Sequence, residues 1–294
     1  MNPMNTNFDL SGKTIVVTGA SSGIGWQAAL EFCRCGASVI GVGRDTERCV
    51  EARQKILTAC PDAKIRYLLA DLSRQSEVRR LADEIRLVLK ETSCRLDVLV
   101  NNAGTFVDTL TLTEDGIEKT IAVNHLAPFL LTYLLLPELK ANPESRVLTV
   151  SSGSHYRTYI NPARLRKPLV YNCLWAYKVS KLCNVLFSLE LNEQTGWKAP
   201  ISFAIDPGLV NTEIGLKGTG SLVSLVWQMR QKSGVDVSVP AATILHAAAS
   251  PEAANSKEVY WYLSAPRKAS RNALNKKLAL ALWLESCRLC HIDV

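Results

Sequence analysis

Short β-branched runs alternate with helical stretches from one end of this chain to the other, and that alternation restricts the fold more than any other feature. Lys13–Thr18, Ala37–Val42, Ile65–Ala70, Leu96–Val100, Arg146–Ser151, Ile201–Ile205 and Val259–Leu263 predict strands. Ile24–Cys35, Asp45–Ala59, Gln75–Lys90, Trp175–Glu193 and Pro240–Ala249 predict helices, and a tail helix follows. Gly36 is placed to cap the first helix. Thr113–Lys140 reads as helix-rich, with Pro128 as its internal break. Apolar strands joined through helices imply a parallel sheet covered on both faces. The predicted class is α/β, a doubly wound parallel sheet in three α/β/α layers. No linker, composition shift or repeat divides residues 1–294, so a single domain is expected.

Composition excludes several functions. Apolar residues make up 47% and charged ones 21%, which suffices for a sizeable core. The net charge of +7 is a mild excess that serves solubility, a phosphate-rich ligand or an anionic membrane surface. With no block of like charge and no aromatic–basic interleaving, no nucleic-acid partner is expected. Met1–Leu10 is polar and lacks a signal pattern, and no apolar stretch is long enough to span a bilayer. A cytoplasmic location follows as an expectation. The nine cysteines then read as reduced thiols. Cys287-Arg-Leu-Cys290-His291 matches the short haem-attachment signature, but that chemistry needs an oxidising export route. A second Cys-x-x-Cys that would complete a zinc site is missing from the sequence, so tail packing is expected and no metal site.

Two local patterns carry chemistry. Thr18-Gly-Ala-Ser-Ser-Gly-Ile-Gly25 lies between the first strand and the first helix. There Gly19, Gly23 and Gly25 let backbone amides approach a pyrophosphate at the helix start. The second pattern is Tyr177-Lys-Val-Ser-Lys181, 25 residues after Ser152. A tyrosine and a lysine four apart share one helix face, where an ammonium favours the phenolate. Neutral-pH chemistry from a phenol of pKa near ~10 asks for roughly 4 kcal/mol of such help. Cofactor choice is read at the end of the second strand. Gly43-Arg44 puts no carboxylate at the position of an NAD-selecting acid and a guanidinium beside it. Asp45 reads as the cap of the next helix rather than as the selector. NADP(H) is therefore expected over NAD(H), with Ser22 and Arg44 at the phosphate.

The chain resembles the short-chain dehydrogenase/reductase superfamily over nearly its whole length. Thr18–Gly25, Asn101-Asn-Ala-Gly104, Tyr177-x-x-x-Lys181 and Asp206-Pro-Gly-Leu-Val-Asn-Thr212 carry the resemblance, in order. Asn124–Thr132, Val150–Ser152, Ser180–Phe187 and the long Ser152–Tyr177 interval are similar to the retinol dehydrogenase-like and WW-domain oxidoreductase-like branch. The resemblance implies a Rossmann fold, with a cofactor half of about 1–150 and a catalytic and substrate half of about 151–294. It implies catalytic roles for Asn124, Ser152, Tyr177 and Lys181. It implies cofactor contacts from Gly19, Ser21, Ser22, Gly23, Ile24, Gly25, Arg44, Asp71, Leu72, Asn102, Ala103, Gly104, Tyr177, Lys181, Pro207, Gly208, Val210 and Thr212.

The implied reaction is hydride transfer between nicotinamide and a carbonyl or alcohol, with an apolar aldehyde, ketone or retinoid-like substrate. A steroid or other secondary-alcohol dehydrogenase is the alternative, and a cofactor-bound regulatory or interaction protein with little turnover is the alternative of another class. His125 and His155 read as packing, with His155 or Tyr156 as further candidates for substrate contact. The resemblance implies a lid at 213–240, and an ordinary buried helix is an equally good reading of that segment. The amino-terminal anchor of those relatives is not seen, and the apolar tail Leu278–Leu289 is expected to dock on the body, with peripheral membrane contact as its alternative. Monomer and homo-oligomer both stay open.

Overall fold

The computed structural model describes residues 8–210 and 235–293. Among these residues eight strands form one sheet in the order β3-β2-β1-β4-β5-β6-β7-β8. These are β1 (Thr14–Thr18), β2 (Ser38–Gly43), β3 (Lys64–Leu69), β4 (Val98–Asn101), β5 (Arg146–Val150), β6 (Ile201–Asp206), β7 (Tyr260–Tyr262) and β8 (Ala265–Pro266). All neighbours pair in parallel except β7 with β8. Every residue of β1, β4 and β5 is buried, because helices cover both faces and leave no solvent side to alternate toward. β3 is the edge strand and exposes Lys64 and Arg66, charges that discourage further pairing.

One face is covered by α1 (Gly23–Arg34), α2 (Thr46–Ala59), α8 (Ser238–Ala249) and the short α9 (Pro251–Asn255). The opposite face carries α3 (Gln75–Thr92), α5 (Ala127–Leu134), α7 (Cys173–Thr195) and α10 (Lys276–Leu289). The tail helix α10 docks on the body through Trp283, edge-on to Phe129 at 5.0 Å and stacked on Phe187 at 6.1 Å. Its last carbonyls are met by α3: Gln75 Nε2 donates to Leu289 O and Arg79 to Cys290 O. Cys287 and Cys290 are buried there as free thiols.

Two expectations need correction. The stretch Thr113–Lys140 is not helical at its start. The chain first makes an isolated bridge between Leu112 and Glu118, and Glu118 then caps the short α4 (Lys119–Ile121) by accepting from the amides of Thr120 and Ile121. Nor is Pro128 the break. A π-turn at Ala122–Leu126 precedes it, and Pro128 lies in the first turn of α5, where a missing N–H is tolerated. The helical run is interrupted again at Leu135, before α6 (Leu136–Lys140). The short antiparallel β8 was not anticipated beyond the strand expected at Val259–Leu263.

The connection β1-β2-β3 runs outward one way, and β4-β5-β6 the other. That reversal opens a crevice beyond the carboxyl ends of β1 and β4, the usual place for a ligand in a sheet of this type.

Candidate active site

A cleft of about 970 Å³ occupies that crevice. Its floor is the turn from β1 into α1. Gly19 has φ +67°, and a Cβ there would lie 2.9 Å from Ala103 Cα. A Cβ on Gly25 would overlap Asn102 Nδ2 and the Gly19 carbonyl, so only glycine lets the helix start seat against β4. Asn102 fastens the arrangement. Its Nδ2 donates to Thr18 O at 2.9 Å, and the amides of Asn102 and Ala103 donate to Thr18 Oγ1.

Of the expected cofactor residues, Gly19, Ser21, Ser22, Gly23, Ile24, Arg44, Asp71, Leu72, Asn102, Ala103, Gly104, Tyr177, Lys181, Pro207, Gly208 and Val210 line the cleft. Gly25 lies beneath it as part of the packing just described. Thr212, with residues 213–234 of the expected lid, lies outside the described residues. Asp71 accepts from the amide and hydroxyl of Ser73. Burial pushes its carboxyl up, but those bonds together with Arg44 and Lys119 outweigh it, so the group is held below the usual carboxylate range. Asp45 accepts from Arg48 N at 2.9 Å and is the cap of α2. Sequence reasoning missed Arg48, which lines the same end of the cleft four residues after Arg44. The i,i+4 spacing across a helix start was the available signal.

The wall that carries Ser152, Tyr177 and Lys181 comes from β5 and α7. Asn172 caps α7 by accepting from Trp175 N, which starts the helix at Cys173, four residues before Tyr177. Tyr177 packs on Phe106 at 5.8 Å, and Lys181 Nζ stands 5.5 Å from the Tyr177 ring centroid. The ammonium is buried and donates to Val150 O at 3.0 Å. Desolvation pulls its pKa down from 10.5 to about 8. Ser152, Tyr177 and Lys181 all face the cleft. Ser152 Oγ accepts from Ser154 N and bonds Ser154 Oγ at 3.1 Å, while Ser151 is buried and donates instead to Lys181 O. The second serine is therefore the one presented to a ligand.

Asn124 is fully buried, off the cleft wall. Its side chain is spent on structure: Oδ1 accepts from Thr105 N, and Nδ2 donates to Thr105 O and Ser180 Oγ. Pro128, four residues on, has no N–H with which to make an α-helical bond to the Asn124 carbonyl.

His155 and Tyr156 do not line the cleft. His155 is buried, with Nδ1 donating to Ser152 O and Nε2 accepting from Ser270 N. Desolvation lowers its pKa and keeps it neutral. Tyr156 OH donates to Lys268 O. Both hold the serine loop rather than substrate. His125 is likewise a core residue, bonded to Ser286 of α10, and burial pushes its pKa down to about 3.

One buried carboxylate was overlooked. Asp206 Oδ1 accepts from Gly153 N and Gly208 N, and Oδ2 accepts from Tyr260 OH at 2.6 Å. It joins the loop after Ser152, the Pro-Gly turn and β7. The sequence signal was an acid ending a strand whose preceding residues, Phe203–Ile205, are apolar.

Fold and site together define an oxidoreductase of the dinucleotide-binding α/β class. The short chain dehydrogenase family matches over residues 13–217, and the chain belongs to that family. Retinol dehydrogenase 12 of Mus musculus is 34% identical over 288 residues, covering 98% of this chain and 89% of that protein. Human WW domain-containing oxidoreductase is 35% identical over 289 residues, covering 96% and 69%. Among solved structures, an uncharacterised protein from Mycobacterium paratuberculosis superposes with a TM-score of 0.71 at 30% identity, covering 97% of this chain and 96% of that one. A metagenomic short-chain oxidoreductase in complex with NADP superposes at 0.60 and 24% identity, covering 86% and 96%. Among the described residues no helix is long and apolar enough to cross a membrane.

Proposed function

We propose that this chain is an NADP(H)-dependent oxidoreductase that interconverts an apolar carbonyl compound and its alcohol. The observation that carries the reading is the two-ended cleft. Ser152, Tyr177 and Lys181 share one wall, while Arg44 and Arg48 border the end beyond β2, where Asp45 is committed as a cap. Glycines at 19 and 25 seat the start of α1 against Asn102 and Ala103, where side chains would collide, and a helix start at the cleft floor suits a pyrophosphate.

The nicotinamide, when bound, supplies or accepts the hydride. Ser152 Oγ donates to the substrate oxygen and Tyr177 gives or takes the proton there. Lys181 supplies the nearby cation that favours the phenolate, and it binds the ribose hydroxyls. The Asn124 carbonyl holds a water that connects Lys181 to solvent. Arg44 and Arg48 pair with a 2′-phosphate, which a forked guanidinium suits. Phe106, Val107 and Leu209 give the substrate side its apolar surface, in keeping with a bulky apolar substrate.

Initial rates with NADPH and NADH over a panel of aldehydes, ketones and alcohols test the reading. Preference for NADPH with apolar carbonyl substrates is expected, and Arg44→Ala should raise the Michaelis constant for NADPH far more than that for NADH. An unmodified enzyme that favours NADH overturns the cofactor assignment. Absence of turnover across the panel, with cofactor bound, moves the chain to the class of regulatory proteins.

A further inference from the structure

The charge excess of this chain is invisible as a run in the sequence and appears only on folding. Residues 152–189 and 259–284 contain eleven of the 34 basic residues and none of the 27 acidic ones. The two segments are stitched together. Tyr156 OH donates to Lys268 O, Ser270 N to His155 Nε2, and Asn272 Nδ2 to Thr158 O. Arg157, Arg164, Arg166 and Lys167 are exposed on one segment, and Arg267, Lys268 and Arg271 on the other. Two acids bordering the face are already engaged, Glu193 with Lys276 and Glu114 with Arg74.

The same face carries large apolar side chains in solvent. Leu169 and Val170 are 82% and 86% exposed, and Tyr159, Leu174 and Trp175 are exposed beside them. Tyr159 and Trp175 pack edge to face at 5.0 Å. Tyr171, next to Val170, turns inward instead and donates to Val107 O at the cleft wall. The loop is thus fixed at its inner side while its apolar tip projects. Lys276 and Arg267 have acidic partners in Glu193 and Asp206; apolar tips among the remaining exposed cations suit a surface that is anionic outside and hydrocarbon within.

We propose that the 157–175 loop and the adjoining 267–271 strap dock this protein on an anionic lipid membrane, with Leu169 and Val170 entering the headgroup boundary. The face borders the cleft, so an apolar substrate dissolved in lipid has a short path to it. That corollary rests on the proposed function; the docking does not.

Sedimentation of the full chain with vesicles tests it without any catalytic readout. Binding to phosphatidylcholine–phosphatidylserine vesicles at low salt is expected, with loss in high salt and little binding to phosphatidylcholine alone. Leu169→Asp with Val170→Asp, and separately Arg164→Glu with Arg166→Glu and Lys167→Glu, should each weaken binding by about tenfold or more. Both sets should keep the thermal midpoint of the parent, which shows that the fold is intact. No binding to anionic vesicles, equal binding to neutral ones, or binding that survives both sets overturns the proposal. So does an oligomer that these variants dissociate, which would assign the face to a second copy of the chain.

Discussion

At the residue scale the sharpest test of chemistry is Tyr177→Phe. It removes only the transferable proton, so cofactor binding should persist while turnover falls by roughly 100-fold or more, the scale of a lost general acid. Stopped-flow rates beside cofactor titration separate the two, and near wild-type turnover would sink the mechanism. Cofactor choice has a less obvious constraint. Placing the NAD-selecting acid at Gly43 is the natural swap, but a Cβ there would overlap Cys49 Sγ, and Cys49 is buried under α2. Gly43→Asp alone should therefore cost about 1–3 kcal/mol through overpacking. Gly43→Asp with Cys49→Ala should fold and move the kcat/KM ratio toward NADH. Equal stability of the single and double variants, read by thermal melts, would show that the thiol does not set this limit.

At the element scale, the loops around the serine are held by a group that touches no ligand. Asp206 gathers donors from the serine loop, the Pro-Gly turn and β7. Asp206→Ala should leave those buried donors unmet, costing about 1–3 kcal/mol for each group so stranded. Asp206→Asn keeps an acceptor for the Gly153 and Gly208 amides and should restore most of kcat, whereas a merely structural loss would not separate the two variants at equal folded fraction. The element pattern was legible because each strand is a continuous apolar run with glycine or a polar turn behind it. Asp45 as a helix cap was legible for the same local reason. The π-turn around Asn124, the non-helical start of the Thr113 stretch and the inward-facing roles of His155 and Asp206 were not. The last two depend on partners far along the chain: His155 meets Ser270, and Asp206 meets Tyr260. Local propensity carries no record of such contacts. Arg48 was hidden differently, since only the direction of α2 turns it toward the cleft.

For the whole molecule, the buried ammonium of Lys181 sets function against stability. In the unfolded chain its pKa is near 10.5, and in the fold desolvation brings it to about 8. Below pH 8 both states are protonated and the full cost is present, about 3 kcal/mol. Between about 8 and 10.5 the unfolded state binds more protons than the folded one, so stability rises with pH and the cost fades. Lys181→Met keeps the length of the side chain without the charge. Val150 O retains Asn184 Nδ2 as a donor, so the substitution strands no acceptor. The unliganded variant should accordingly be more stable than the parent at pH 7, and that advantage should shrink as the pH approaches 10.5. Its turnover should be lost. The matching kinetic signature is a fall in carbonyl-reduction kcat/KM above about pH 8 as Lys181 neutralises. Lys181→Arg should move that limb upward, because a guanidinium stays charged there. Denaturant midpoints at pH 7 and pH 10 measure the first effect, and pH–rate profiles the second. A Lys181→Met protein less stable than the parent at pH 7 would mean that the Val150 contact repays the desolvation, and a limb unmoved in Lys181→Arg would place the titration on another group.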